Sequence, residues 1–245
     1  MDISLGFTIY FSYLYIIIIK EIYMESTLQR IQSKLNKTYG WRKFRFGLPL
    51  PKLGLDDTYD TLPEDLRDNW VWRYLVACVI VGGSNEFKMQ KICDILFKEY
   101  PTANDLANAE LRDLYSLFGK FTLEQGGMKA QRIVEISKEV VKNNNKVWRS
   151  KEELMLLRGV GEHTAEVIMA TCYGEKHFAI DIHVKVISKR WGLSHTKLRK
   201  MQNVNGQFSR NFVDFGQKLC GRQPKCDLCF IKEECKKIRT ENDVI

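Results

Sequence analysis

Apolar positions along this chain recur mostly at intervals of three and four. The breaks between the runs are short and rich in glycine, proline or asparagine. Residues 25–37 place Leu28, Ile31 and Leu35 at helical spacing. Residues 66–81 contain LVACVIV, apolar on every side, which predicts a helix buried around most of its circumference and stopped at Gly82-Gly83. Residues 85–100 set Met89, Ile92, Leu96 and Phe97 on one face and end at Pro101. Residues 102–109 and 110–118 read as two shorter helices, and 130–143 turns Ile133, Ile136 and Val140 inward. Ser150 to Glu153 has the spacing of a capping box. It opens the stretch 154–191, which reads as helix, Gly-Val-Gly hairpin, second helix and connection, with Asp181 at the head of a third helix. Alternating strand patterns are missing, so the pattern predicts an all-α chain of many short helices.

The first residues differ in kind. Ile3 to Ile19 carries no charge, yet this run of 17 residues is shorter than the ~20 a membrane-crossing helix needs. Asp2 stands where a signal peptide has basic residues, and no small-residue cleavage site follows. Met24 opens an ordinary amphipathic sequence. Three readings stand: residues 1–23 lie outside the mature protein, or pack on the body as a hydrophobic helix, or anchor the chain to a membrane. The first is preferred. In the third, Lys20 and the basic residues after it would keep the body cytoplasmic.

A length of 245 residues allows one large domain or two small ones, and a net charge of +8 with pI near 9.0 favours an anionic partner. Cys78, Cys93 and Cys172 sit in apolar runs and read as small buried hydrophobes. Cys220, Cys226, Cys229 and Cys235 crowd together, which argues against a secreted disulfide framework and for a reducing compartment. Structural zinc usually takes two close pairs. Here one C-x2-C is flanked by single cysteines at equal distance, an arrangement that suits a [4Fe-4S] cluster, with zinc as the alternative. Lys218, Arg222, Lys225, Lys232, Lys236 and Lys237 surround it and would add phosphate contacts. Tyr39, Trp41, Arg42 and Phe44 belong to a second basic, aromatic segment, suited either to a binding groove or to core packing.

The Leu157-Arg158-Gly159-Val160-Gly161 hairpin is the sharpest local signal. First-turn N–H groups of a helix make an anion site, and the glycines remove the side chains that would hold a phosphate away. Val160 would plug the hairpin into the core, and Thr164 would lie beside the phosphate. Gly127 and Lys129, in a second glycine-rich hairpin read over Gly126 to Lys129, are further candidate phosphate contacts. A ligand-free αα-hairpin has the same spacing.

The run L-x-x-L-R-G-V-G-x-x-T-A, followed by the aspartate of FAIDIHVKVISKRWGL, resembles the helix-hairpin-helix DNA glycosylase superfamily. That group includes endonuclease III and the mismatch-specific adenine and thymine glycosylases. The resemblance spans about residues 70–237. It implies two helical lobes: a barrel lobe over 66–178, and a discontinuous iron–sulfur lobe over 24–65 and 179–245. A cleft between them would hold the site, with His163 from one lobe and Asp181 from the other.

In that family the aspartate matching Asp181 is the catalytic carboxylate. Cleaving an N-glycosidic bond builds positive charge on the sugar, and a fixed carboxylate stabilises it. A helix N-cap would suit the same position. Family members that also cut the backbone carry lysine where this chain has His163, and that lysine forms a Schiff base with the sugar. Thymine glycosylases place tyrosine there and adenine glycosylases serine. The family carries nearly the same cysteine pattern, with six residues in the first gap where this chain has five. Gly83 stands at or near the glutamine that fills the hole of the extruded base, so Asn85-Glu86 or residues 125–129 would have to wedge the duplex. Val79 replaces the glutamate of adenine glycosylases, which disfavours adenine removal.

The resemblance thus implies a monomeric base excision repair glycosylase on double-stranded DNA, cytoplasmic or nucleoid-associated, with no small-molecule cofactor. It would hydrolyse the N-glycosidic bond of a flipped, mismatched or damaged base, expected to be a pyrimidine, with lyase activity absent or weak. A bifunctional glycosylase/lyase and a non-catalytic DNA-binding protein are the rival readings.

Overall fold

The computed structural model describes residues 26–27, 29–39, 57–81, 86–200 and 206–235. The expectations for 1–23, Trp41 to Phe44, Gly82 to Asn85, Lys236 and Lys237 lie outside these residues. Among the described residues the fold is helical throughout, with no strand. Helix α1 covers 29–39. It is followed by α2 (Glu64–Val81), α3 (Glu86–Glu99), α4 (Ala103–Ala107), α5 (Leu111–Lys120), α6 (Gly126–Lys142), α7 (Lys151–Leu156), α8 (Glu162–Thr171), α9 (Ile182–Trp191), α10 (His195–Lys200) and α11 (Gly206–Lys218). Two 3₁₀ turns, Tyr59–Thr61 and Cys226–Leu228, complete the order.

The chain divides into two compact units. The larger holds the described residues 57–181 and 206–209. The smaller holds 29–39, 182–200 and 210–235. By packing, Asp181 closes the same unit that contains His163.

Helix α2, apolar from Leu75 to Val81, is the axis of the larger unit. Trp70, Val71, Leu75, Val76 and Ile80 are sealed by α3, α6 and α8, while α4 and α5 lie on α6. Ile92, Leu96, Ile133, Val140, Leu154 and Ile168 face inward, as their spacing requires. One polar demand inside this core is met locally. Trp72 Nε1 donates to Ser137 Oγ at 3.0 Å, and that hydroxyl donates to the Ile133 carbonyl at 2.7 Å.

The α2–α4 corner is tied by Arg73 Nη2 and Asn69 Nδ2, which donate to the Pro101 carbonyl at 2.6 and 3.2 Å. Thr102 and Asp105 form a reciprocal capping box that starts α4. At α7 only half of the expected box forms. Ser150 Oγ accepts from the Glu153 amide at 3.3 Å, but its hydroxyl goes to Glu152 Oε2 at 3.1 Å.

The smaller unit has its own core. Trp191 stacks edge-on against Phe212 at 5.3 Å and tilts over Phe215 at 5.8 Å, and Phe215 meets Phe230 at 5.7 Å. Leu35, Val184, Ile187, Leu198 and Ile231 fill the rest.

Candidate active site

The hairpin is presented by α7 and α8. Leu157 leaves α7 in an extended conformation and is buried, and Val160 is 5% exposed, its amide bonded to the Leu157 carbonyl at 3.0 Å. These two apolar anchors seat the turn. Gly159 takes φ +92°, a region that favours glycine. Gly161 precedes the first turn of α8, and Arg158, Gly159, Gly161, Glu162 and His163 are exposed. The first-turn N–H groups of α8 therefore lie on an open face, with Thr164 half-buried beside them.

The two hairpin helices are clamped by one ammonium. Lys151 Nζ lies 2.7 Å from Glu162 Oε1 and 3.3 Å from Glu166 Oε1, and the Glu166 side chain is 3% exposed. The bond to Glu162 leads the causes that hold the Lys151 pKa above its ordinary value. Just upstream, Arg149 forks onto Asp60 at 3.0 and 2.7 Å, and Tyr173 Oη donates to the Val147 carbonyl at 2.8 Å. The entry to α7 is thus fixed from two sides.

Helix α6 lies across the hairpin. Arg158 Nη1 reaches Glu135 Oε1 at 3.1 Å. One turn earlier, the Arg132 stem covers Gly159 so closely that a Cβ there would stand 2.5 Å from Arg132 Cδ. The second glycine-rich segment does not form a hairpin. Gly126 and Gly127 belong to the first turn of α6, which starts four residues before the expected 130. Lys129, expected to contact phosphate, is 4% exposed and donates instead to the Ile80 carbonyl at 2.9 Å, near the end of α2. Burial pushes its pKa down, against an opposing pull from Glu124. The expectation for Lys129 is therefore corrected: its ammonium serves the α2 terminus. Gly127 remains at the surface of that first turn.

Asp181 follows a connection whose course is set by buried Phe178 and Ala179, the latter donating its amide to Ser209 Oγ at 3.1 Å. The carboxylate is half-buried and immediately precedes α9. Two residues on, His183 packs on α11. A Cβ on Gly216 would stand 2.7 Å from His183 Cβ and 2.8 Å from Nδ1.

Helix α11 leads into the cysteine segment. Buried Arg190 donates through Nη1 to the carbonyls of Cys220 and Gly221, both at 2.7 Å, and lies 3.3 Å from Cys220 Sγ. Burial pushes the Cys220 thiol up, Arg190 pulls it back, and Cys235 and Cys229 raise it further. Cys229 is raised by burial and by Cys235 and Cys226. Among the described residues, no group of three or more His, Cys, Asp or Glu side chains is gathered closely enough to grip an ion. No helix among them is long and apolar enough to cross a membrane.

Sequence reasoning missed the Lys151 clamp, Arg132 over Gly159, His183 on Gly216, and Arg190 at the cysteine segment. Only the first had a signal, a lysine opening α7 with two glutamates one turn apart on α8.

The comparisons with known proteins agree with this architecture. The family described as HhH-GPD superfamily base excision DNA repair protein matches residues 86–210. An endonuclease III of Thermotoga maritima is 33% identical over 189 residues, 71% of this chain and 86% of that protein. A thymine/uracil-DNA glycosylase of Pyrobaculum aerophilum is 23% identical, over 64% of this chain and 76% of its own length. Among solved structures, a non-covalent endonuclease III–DNA complex superposes with TM-score 0.66 at 22% identity, covering 87% of this chain and 95% of that one. A thermostable thymine-DNA glycosylase gives 0.67 at 18% identity, covering 87% and 97%. The chain belongs to the HhH-GPD superfamily of base excision DNA repair proteins, as a DNA glycosylase of the endonuclease III family.

Proposed function

We propose that this protein is a monofunctional glycosylase that hydrolyses the N-glycosidic bond of a mismatched or damaged base, a pyrimidine by preference, in double-stranded DNA. The observation that carries this reading is an exposed Gly159–Gly161 turn with imidazole, at His163, where lyase members of the family hold an amine. The open N–H groups of the first α8 turn bind the strand backbone. Gly159, Gly161 and Thr164 line that contact, and Leu157 and Val160 hold it from below. The target nucleotide leaves the stack at a cost of a few kcal/mol, least for a damaged or mispaired base. Asp181 faces the positive charge that grows on the sugar and orients the attacking water. The bond from sugar to base breaks, water supplies the hydroxyl, and the base leaves with its electron pair and a proton. His163 positions nucleotide or water and forms no iminium link.

The four cysteines fit an iron–sulfur group in donor type and in their spacing along the chain, and Arg190 holds the backbone at the first of them. We assign Cys220, Cys226, Cys229 and Cys235 as ligands of a [4Fe-4S] cluster, with zinc as the alternative. Such a group would be held by the four thiolates and would cross-link the 220–235 segment. Iron and acid-labile sulfide in the purified protein check this; zinc without iron would overturn it.

The relatives named endonuclease III favour the second reading, a bifunctional enzyme. The deciding experiment uses duplexes carrying mismatched or damaged pyrimidines, scored with and without alkali, and with borohydride. Base release is expected, with strand breaks only after alkali and little covalent trapping. Efficient trapping by the natural chain overturns the monofunctional assignment. His163→Lys is expected to gain trapping, because it restores an amine at the turn.

A further inference from the structure

The hairpin glycines supply N–H groups, but the cation that completes the phosphate contact was not evident from the motif. Arg158 looks like that cation, yet its guanidinium is held by Glu135. Lys129 is buried on the Ile80 carbonyl. Lys151 is committed to Glu162 and Glu166. Each basic side chain that the hairpin motif and its flanks suggest is therefore neutralised or turned inward.

Arg132 is different. It is half-buried through its stem, which lies along Gly159 with Cγ, Cδ and Nε at 3.2, 2.5 and 3.1 Å from where a Cβ would sit. It makes no ion pair among the described residues. An arginine stem buried on backbone with an uncommitted head is a cation held in place at little further entropic cost. Gly159 is glycine for two reasons: its left-handed φ, and the arginine lying across its Cα.

We infer that Arg132 is a DNA-backbone contact of this protein, a guanidinium carried by α6 and laid over the hairpin to meet the same phosphate as the α8 first turn. The inference rests on the glycosylase reading and adds to it a residue that lies outside the hairpin motif. Glu135, one turn further along α6, keeps the neighbouring Arg158 engaged, so the two arginines divide the work between phosphate and scaffold.

The test measures affinity of the full-length protein for a duplex bearing an abasic-site analogue across a salt series. Arg132→Met keeps the stem on Gly159 and removes the charge. It is expected to weaken binding and to flatten the log Kd against log salt slope by about 0.9, the value of one phosphate contact. Arg132→Lys is expected to restore most of the slope. Arg158→Gln is expected to leave the slope within error of the natural chain. Natural-chain binding with an unchanged Arg132→Met slope overturns the Arg132 assignment alone. Loss of salt-sensitive binding in the natural chain itself overturns the glycosylase reading beneath it.

Discussion

Asp181→Asn is expected to slow base release by about 10²–10³-fold or more while duplex affinity stays close to that of the natural chain. The magnitude is that of removing one preorganised electrostatic group from a charge-developing site. The amide keeps the size of the carboxylate, and Asn and Asp serve equally well before a helix. What it loses is the negative charge opposite the oxocarbenium-like sugar. Single-turnover release of the base, set beside binding to an abasic-site duplex, separates the two effects. Release at the natural rate would remove Asp181 from the chemistry. Loss of release together with loss of folding, seen by circular dichroism, would make it a capping residue. A chain that binds every duplex offered and cleaves none would be the non-catalytic binding protein.

Lys151→Met is expected to cost about 1–3 kcal/mol of stability, the cost of removing a hydrogen-bonded charge from beside a buried carboxylate. Glu166 is the group left behind, its side chain 3% exposed on the inward face of α8. Methionine keeps the volume of the lysine stem, so the loss reports charge and hydrogen bonding rather than a cavity. Adding Glu166→Gln to Lys151→Met should recover part of the loss, because the neutral amide no longer demands a counter-charge. The pH dependence has a definite sign. The Lys151 pKa is raised in the fold, so its contribution is fully present below the unfolded lysine value and is lost only as pH rises through the folded one. Natural chain and variant should therefore differ by a constant amount across neutral pH and converge in strong alkali, where the lysine loses its charge. Urea unfolding at several pH values measures this, and a difference within about 0.5 kcal/mol would show that the clamp is ornamental.

The helices were legible because burial in an all-α chain follows a single periodicity. Ile92, Leu96, Ile133, Ile136 and Val140 lie inward where spacing put them. The start of α6 was not, and the reason is steric. Gly126-Gly127 looked like a turn, but a Cβ on Gly126 would stand 3.2 Å from Phe118 Cβ, so that glycine lets α6 begin against α5. Lys129 was misread for the same reason, because a lysine beside glycines looks free to meet phosphate until the end of α2 is seen beside it. The Leu157–Gly161 turn was legible down to its buried and exposed positions, since its geometry is local. Arg132 was illegible because its place depends on which face of α6 crosses a turn far away in sequence. Arg190 was hidden likewise: nothing in KRWGL indicates that its arginine holds backbone carbonyls beyond α11.

The contact between Gly216 and His183 has a consequence for how this chain can drift. The spacer between α9 and α11 at that point is a single hydrogen atom, with the imidazole resting on it. Alanine at 216 would meet His183 Cβ, an atom placed by the backbone, so 183 must become glycine or α9 and α11 must move apart. The two positions are therefore free to change only together. Since 183 lies two residues past Asp181, while α11 leads directly to Cys220, this paired constraint ties variation near the carboxylate to variation near the cysteines.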